Sequence, residues 1–165
     1  MLSNTCKYGI RAVIYIASRE GGKSKTGLTK ISKDLKLPAP FLAKILQQLA
    51  RQKILISLKG PHGGFSLQRK PEKISLYDIV TTIDGDGIFT ECIIHNTKCG
   101  DVENKHKECP VHKEYAEIRK KLIQYFKKTT IADLVNKAKD LDKGYWQLQV
   151  RFVDGTTENV RINLK

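Results

Sequence analysis

Residues 28–68 read LTKISKDLKLPAPFLAKILQQLARQKILISLKGPHGGFSLQ, and this stretch decides the fold. Leu28, Ile31, Leu35 and Leu37 recur at helical spacing, which predicts a short helix over Leu28 to Leu37, with Thr29 as its cap. Pro38-Ala39-Pro40 then breaks the chain, and Pro40 fits the first position of a new helix, where its missing N–H costs nothing. That helix, over about 40–52, gathers Phe41, Leu42, Ile45, Leu46 and Leu49 on one face and leaves Lys44, Gln47, Gln48 and Arg51 off it. Two short helices with a tight break, the second having a polar outer face, form the helix-turn-helix pattern. Ile54 to Leu58 and Phe65 to Gln68 read as strands around a basic, glycine-rich tip, Lys59-Gly60-Pro61-His62-Gly63-Gly64. Gly60, Gly63 and Gly64 permit positive φ there, and a tip without side chains can approach a sugar-phosphate backbone closely. A strand–tip–strand unit directly after a helix-turn-helix is a wing.

Upstream, Tyr8, Ile10, Ala12, Val13, Ile16 and Ala17 predict a helix over 5–18, ended by Gly21-Gly22. Downstream, Ser75 starts a fourth helix carrying Leu76, Ile79, Val80 and Ile83, which stops at Asp84-Gly85-Asp86-Gly87. Residues 88–109 lack helical periodicity, and a stretch of that length without structure is usually functional or disordered. From Pro110 a long helix runs to about Lys128, with Val111, Tyr115, Ile118, Leu122, Tyr125 and Phe126 along one side. Such a stripe on a charged helix needs a partner, either the chain's own core or a second copy. Thr129 to Leu134 begins another short helix. In the tail, Trp146, Leu148, Val150 and Phe152 alternate with polar residues, as do Val160, Ile162 and Leu164 beyond Asp154-Gly155, which predicts a β-hairpin. A hairpin of that size is not stable alone and must pack on something.

The fold class expected is therefore mainly α with a small β part. The chain divides into a winged helix-turn-helix domain over 1–87, a cysteine-containing loop over 88–109, a long helix with a following short one over 110–140, and a C-terminal hairpin over 141–165.

Thirty Lys and Arg against seventeen Asp and Glu give a formal charge of +13. Residues 1–83 hold fifteen basic and four acidic residues, whereas 84–165 hold fifteen and thirteen. A field concentrated on one half suits a polyanionic partner, because Lys and Arg that neutralise phosphates release condensed counterions. No apolar run approaches the ~18 residues of a membrane span. Lys7, Arg11 and Arg19 interrupt the N-terminal apolar stretch, so no secretory pattern appears and a cytoplasmic location is expected. Phosphate loops, nucleophile elbows, paired acid/base carboxylates and His-Glu-x-x-His motifs are absent, which argues against an enzyme. Of the four cysteines, Cys92, Cys99 and Cys109 cluster, and in a cytosolic chain such a cluster reads as metal-binding or redox-active. His95 and His106 read as solvated loop residues.

These features resemble the Rrf2 family of winged-helix regulators, which includes iron–sulfur assembly regulators, nitric-oxide sensors and cysteine-metabolism repressors. The carrying residues are Tyr8-Gly9-Ile10-Arg11-Ala12, Phe41-Leu42 through Leu49, and the wing Lys59 to Phe65. Leu76-Tyr77-Asp78-Ile79-Val80 with Ile83-Asp84-Gly85, Cys109-Pro110-Val111-His112 and Thr130-Ile131-Ala132-Asp133-Leu134 follow in the family's order. The resemblance covers roughly residues 1–138 and does not include the C-terminal hairpin. It implies a homodimer, paired through the long helix, that binds double-stranded DNA. The third helix would enter the major groove with Lys44, Gln47, Gln48 and Arg51 available to the bases, and Lys59, His62 and Gly63 would sit over the minor groove. Ala43 occupies the place of an acidic residue that in some members separates operator classes.

The resemblance further implies an iron–sulfur cluster held by Cys92, Cys99, Cys109 and His112, with Cys6 as an alternative fourth ligand. Structural zinc, direct thiol oxidation and no ligand at all are the rival readings of the same residues, and a buried apolar role is the rival reading of Cys6. A winged helix that binds a protein partner is the alternative to DNA binding, although it has no need of a basic wing.

Overall fold

The structure is a computed structural model that describes residues 2–94, 98, 110–141, 145–151 and 155–163; for 140, 141, 145–151 and 160–163 only the backbone is described. His95, Cys99, His106, Cys109, Phe152, Asp154 and Leu164 lie outside these residues.

Helix α1 (Asn4–Ser18) opens where Ser3 accepts a hydrogen bond from the Cys6 amide, a side-chain cap that satisfies one of the orphan N–H groups. It ends at Ser18, ahead of the glycines, and Glu20–Gly22 makes a separate 3₁₀ turn. Helix α2 (Leu28–Leu35) is capped by Gly27, not by Thr29, and its end is closed by Lys36 in the left-handed conformation. Helix α3 (Ala39–Arg51) starts one residue ahead of Pro40 and buries Leu42, Ile45, Leu46 and Leu49. Truncating any of these to alanine should cost about 2–5 kcal/mol, since each would leave a cavity in close-packed surroundings.

Strands β1 (Leu55–Leu58) and β2 (Gly64–Leu67) pair antiparallel, Leu55 opposite Leu67 and Leu58 opposite Gly64. Thr26 adds a third, one-residue rung by exchanging both backbone hydrogen bonds with Phe65, each 2.9 Å. The wing is thereby tied to the segment leading into α2. Helix α4 (Leu76–Ile83) begins in a capping box: Ser75 accepts from the Asp78 amide, and Asp78 accepts from the Ser75 amide.

Two clusters make the core. The first joins α1, α2, α3 and both wing strands, and it takes in Ile131, Val135 and Ala138 of α7 (Ile131–Leu141). The second gathers Cys6, Leu76, Val80, Phe89 and Phe126, with Leu122 and Ile123 packed against it. Phe89 belongs to a four-residue helix, α5 (Gly87–Thr90), inside the stretch expected to lack helix. A single turn is too short to show helical periodicity. Its aromatic side chain lies between Tyr77, at 4.7 Å between ring centroids, and Phe126, at 5.3 Å.

Helix α6 (His112–Lys128) therefore has two apolar edges. Phe126 is buried, while Ile118 and Tyr125 are 61% and 55% exposed. The junction between α6 and α7 is stitched to the start of α4 by Leu76 N–H to the Thr129 carbonyl and Ile131 N–H to the Ile74 carbonyl. Strands β3 (Tyr145–Arg151) and β4 (Thr157–Asn163) form the tail hairpin, Tyr145 opposite Asn163 and Arg151 opposite Thr157. β3 meets α7 and β4 meets α2. Among the described residues, no helix is long and apolar enough to cross a membrane.

Candidate nucleic-acid interface

Lys44, Gln47, Gln48 and Arg51 are all set on α3 away from the buried row that fixes the helix. The Gln48 amide is engaged elsewhere: it donates to the Thr82 carbonyl at the end of α4, at 2.7 Å. Lys44, Gln47 and Arg51 make up the rest of that outer face. Phe41, in the first turn of α3, was read from the sequence as a core residue and is 37% exposed. It stands edge-on to Tyr8 of α1, at 5.9 Å, and Arg11 lies over the same tyrosine ring, at 5.6 Å. This aromatic support fixes the angle of the helix start. Such a ring can lie against a thymine methyl in a major groove.

At the wing tip Lys59, Gly60, Pro61 and His62 are exposed. Gly63 donates its N–H to the Gly60 carbonyl at 2.9 Å, closing the turn. Gly60 and Gly64 adopt positive φ, as the sequence predicts, but Gly63 is glycine for a different reason. A Cβ there would lie 2.3 Å from the Leu58 carbonyl oxygen, inside the backbone. At Gly64 a Cβ would lie 2.7 Å from the Thr26 carbonyl oxygen, so that glycine serves the third rung as well as the turn.

The base of the reading unit is held by a buried polar group. Tyr15, fully buried, donates its hydroxyl to Asp34 of α2 and accepts from Arg19 at 3.2 Å. Burial first, and then the hydrogen bond to Asp34, push the Tyr15 phenol up to about 12. Sequence reading missed this trio, because Tyr15 sits within an apolar run that conceals its hydroxyl.

A cavity of about 510 Å³ lies on the second core cluster, lined by Ser3, Asp84, Gly87, Ile88, Glu91, Cys92, Ile93 and Tyr115. Cys92 is half-buried at its edge, and His112 opens α6. Cys99 and Cys109 lie outside the described residues. Among the described residues, no three His, Cys, Asp or Glu side chains gather as a metal site. Cys6 is fully buried in the second cluster. Burial, then the charge of Asp84 and a hydrogen bond to it, push its thiol up to about 12. Its burial among Leu76, Val80, Phe89 and Phe126 suits the small packed residue that is the rival reading of Cys6.

A helix-turn-helix with an open basic wing, whose outer helix face carries cationic and amide groups, defines a winged-helix DNA-binding regulator. The chain belongs to the Rrf2 family, described as iron-dependent transcriptional regulators, which matches residues 2–137. A putative HTH-type transcriptional regulator of Aquifex aeolicus is 34% identical over 136 residues, covering 82% of this chain and 92% of that protein. The protein aau3 of Rhizobium meliloti is 28% identical over 166 residues, covering 97% of this chain and 95% of its own length, so that match takes in the tail hairpin. Among solved structures, CymR, the global cysteine regulator of B. subtilis, superposes with a TM-score of 0.65 at 20% identity, over 83% of this chain and 97% of CymR. The protein is a transcriptional regulator and not an enzyme.

Proposed function

We propose that the chain acts in the cytoplasm as a homodimeric repressor whose signal arrives through the cysteine region. The observation that carries the DNA-reading half is the outward Lys44–Gln47–Arg51 face of α3, followed directly by a wing tip with backbone and two cationic or titratable side chains in the open. In this reading α3 enters the major groove, Gln48 steadies α3 against α4, and Lys59, His62 and the Gly63 backbone meet the phosphates. Two-fold symmetry then calls for a pseudo-palindromic operator with half-sites about one helical turn apart, or a multiple of it. Ile118 and Tyr125, exposed on one edge of α6, supply the apolar face for the second copy.

For the sensing half, Cys92, Cys99, Cys109 and His112 are the donor set. Three thiolates and an imidazole suit an iron–sulfur cluster, which supplies a redox- and nitric-oxide-sensitive centre. The family description as iron-dependent supports this reading, as does the place of Cys92 just after α5, where it lines one cavity with Tyr115 of α6. Anaerobic purification followed by the visible spectrum and iron and sulfide analysis tests it. Broad absorption above ~320 nm that disappears in Cys92→Ala and in Cys109→Ala is the expected result. A colourless, iron-free protein after reconstitution sinks the cluster and leaves direct thiol oxidation as the signal.

A further inference from the structure

The tail hairpin lies beyond the residues matched by the family and is not used in the reading above. Its register separates two faces. Positions 146, 148 and 150 share one with 158, 160 and 162, which in sequence are Trp, Leu, Val, Glu, Val and Ile. Positions 145, 147, 149 and 151 share the other with 157, 159, 161 and 163, which are Tyr, Gln, Gln, Arg, Thr, Asn, Arg and Asn. Glu158, on the apolar row, forms an ion pair with Lys36, while β4 meets α2 and β3 meets α7. Thr157, Glu158 and Asn159 are all exposed, and it is the apolar composition of the first row that marks it as the face to be covered and leaves the polar row for solvent or a partner.

That polar row has the chemistry of a DNA-reading surface. Gln and Asn present the donor–acceptor pair that matches adenine, Arg matches guanine or phosphate, and no carboxylate interrupts the row. A two-stranded antiparallel ribbon is also one of the few protein elements a major groove admits. Seven residues per strand span roughly 23 Å, about two-thirds of a turn of duplex. The ribbon is anchored beside the reading head, because Lys36 closes α2 and α3 starts three residues later.

We infer that the C-terminal ribbon is a second DNA-binding element, which lays its 147/149/151–157/159/161 face on duplex flanking the site read by α3. The inference rests on the DNA-reading function proposed above.

The test uses the full chain and a duplex selected by it from a randomised pool. That duplex is prepared in a short form and with about ten base pairs added to each side, one helical turn. The wild-type chain should bind the longer form more tightly. The Arg151→Ala/Arg161→Ala variant should lose that advantage, bind the short form as before, and show a slope of log affinity against log salt shallower by about 4 on the long form, two arginines being lost from each subunit of the dimer. An Arg151→Lys/Arg161→Lys variant should recover the slope, which separates lost charge from a damaged hairpin. Equal affinity of the wild-type chain for both lengths, an unchanged length preference in the double alanine variant, or a lysine variant as weak as the alanine one overturns the inference. A wild-type chain that selects no duplex overturns the DNA-reading function and this inference together.

Discussion

At the scale of single residues, there are places in this chain where one atom decides. Gly63→Ala drives a Cβ into the Leu58 carbonyl, so the wing tip must open while the core beneath stays packed. Strain of about 1–3 kcal/mol concentrated there should lower operator affinity by about tenfold or more, with little change in the thermal unfolding of the α1–α3 core. Binding titrations beside a melting curve check this. Cys6 offers a pH-dependent prediction. Its thiol is higher in the folded chain than its ordinary value of 9.0, so it adds stability that is complete below pH ~9 and vanishes as pH rises toward 12. Tyr15 shifts in the same direction and adds its own share to that window. Cys6→Ala should therefore unfold more easily at neutral pH but lose stability less steeply between pH 9 and 12 than the unaltered chain. A neutral-pH alkylation series should label Cys92 well before Cys6.

At the scale of elements, capping and face patterning set what each helix does. Ser75→Ala removes one side of the α4 capping box and should cost about 0.5–2 kcal/mol in denaturant unfolding, without altering the outer face of α3. The helix-turn-helix, the wing and the fourth helix were legible in the sequence because their apolar spacing, prolines and glycines all point the same way. Other features were hidden for identifiable reasons. The cap expected of Thr29 falls to Gly27, since α2 begins at Leu28 and leaves Thr29 inside its first turn. α5 is a single turn held by the packing of Phe89 against Tyr77 and Phe126, neighbours that no local pattern reveals. The stripe on α6 reads from sequence as one face. In the fold it parts into Phe126 and Leu122 turned inward and Ile118 and Tyr125 turned out. The engagement of Gln48 with Thr82 is likewise a tertiary interaction that helix spacing does not reveal.

At the scale of the whole molecule, the proposed function requires the cysteine region and the DNA-reading half to communicate. α6 touches both: its inner edge packs with Phe89 beside the Cys92 segment, and its end is hydrogen-bonded to the start of α4. A pair of subunits related by the outer edge of α6 should fall apart when that edge is charged. Ile118→Glu with Tyr125→Glu should give a monomer in sedimentation or light scattering, since both side chains are more than half exposed and the only core ring Tyr125 meets among the described residues is its neighbour Phe126. The monomer should keep its helical content and lose affinity for a two-half-site operator far more than for a single half-site.

The central claim is that this chain reads duplex DNA through α3 and its wing. Its most direct test is a salt titration of binding to a selected operator, comparing the unaltered chain with Lys44→Ala/Gln47→Ala and with Lys59→Ala. Affinity of the unaltered protein should fall steeply with salt. Lys59→Ala should show a slope shallower by about 2, because one phosphate per subunit of the dimer is no longer neutralised by the protein. The α3 variant should lose discrimination between the operator and a scrambled duplex. Salt-insensitive binding, or operator preference that survives the α3 substitutions intact, would contradict it.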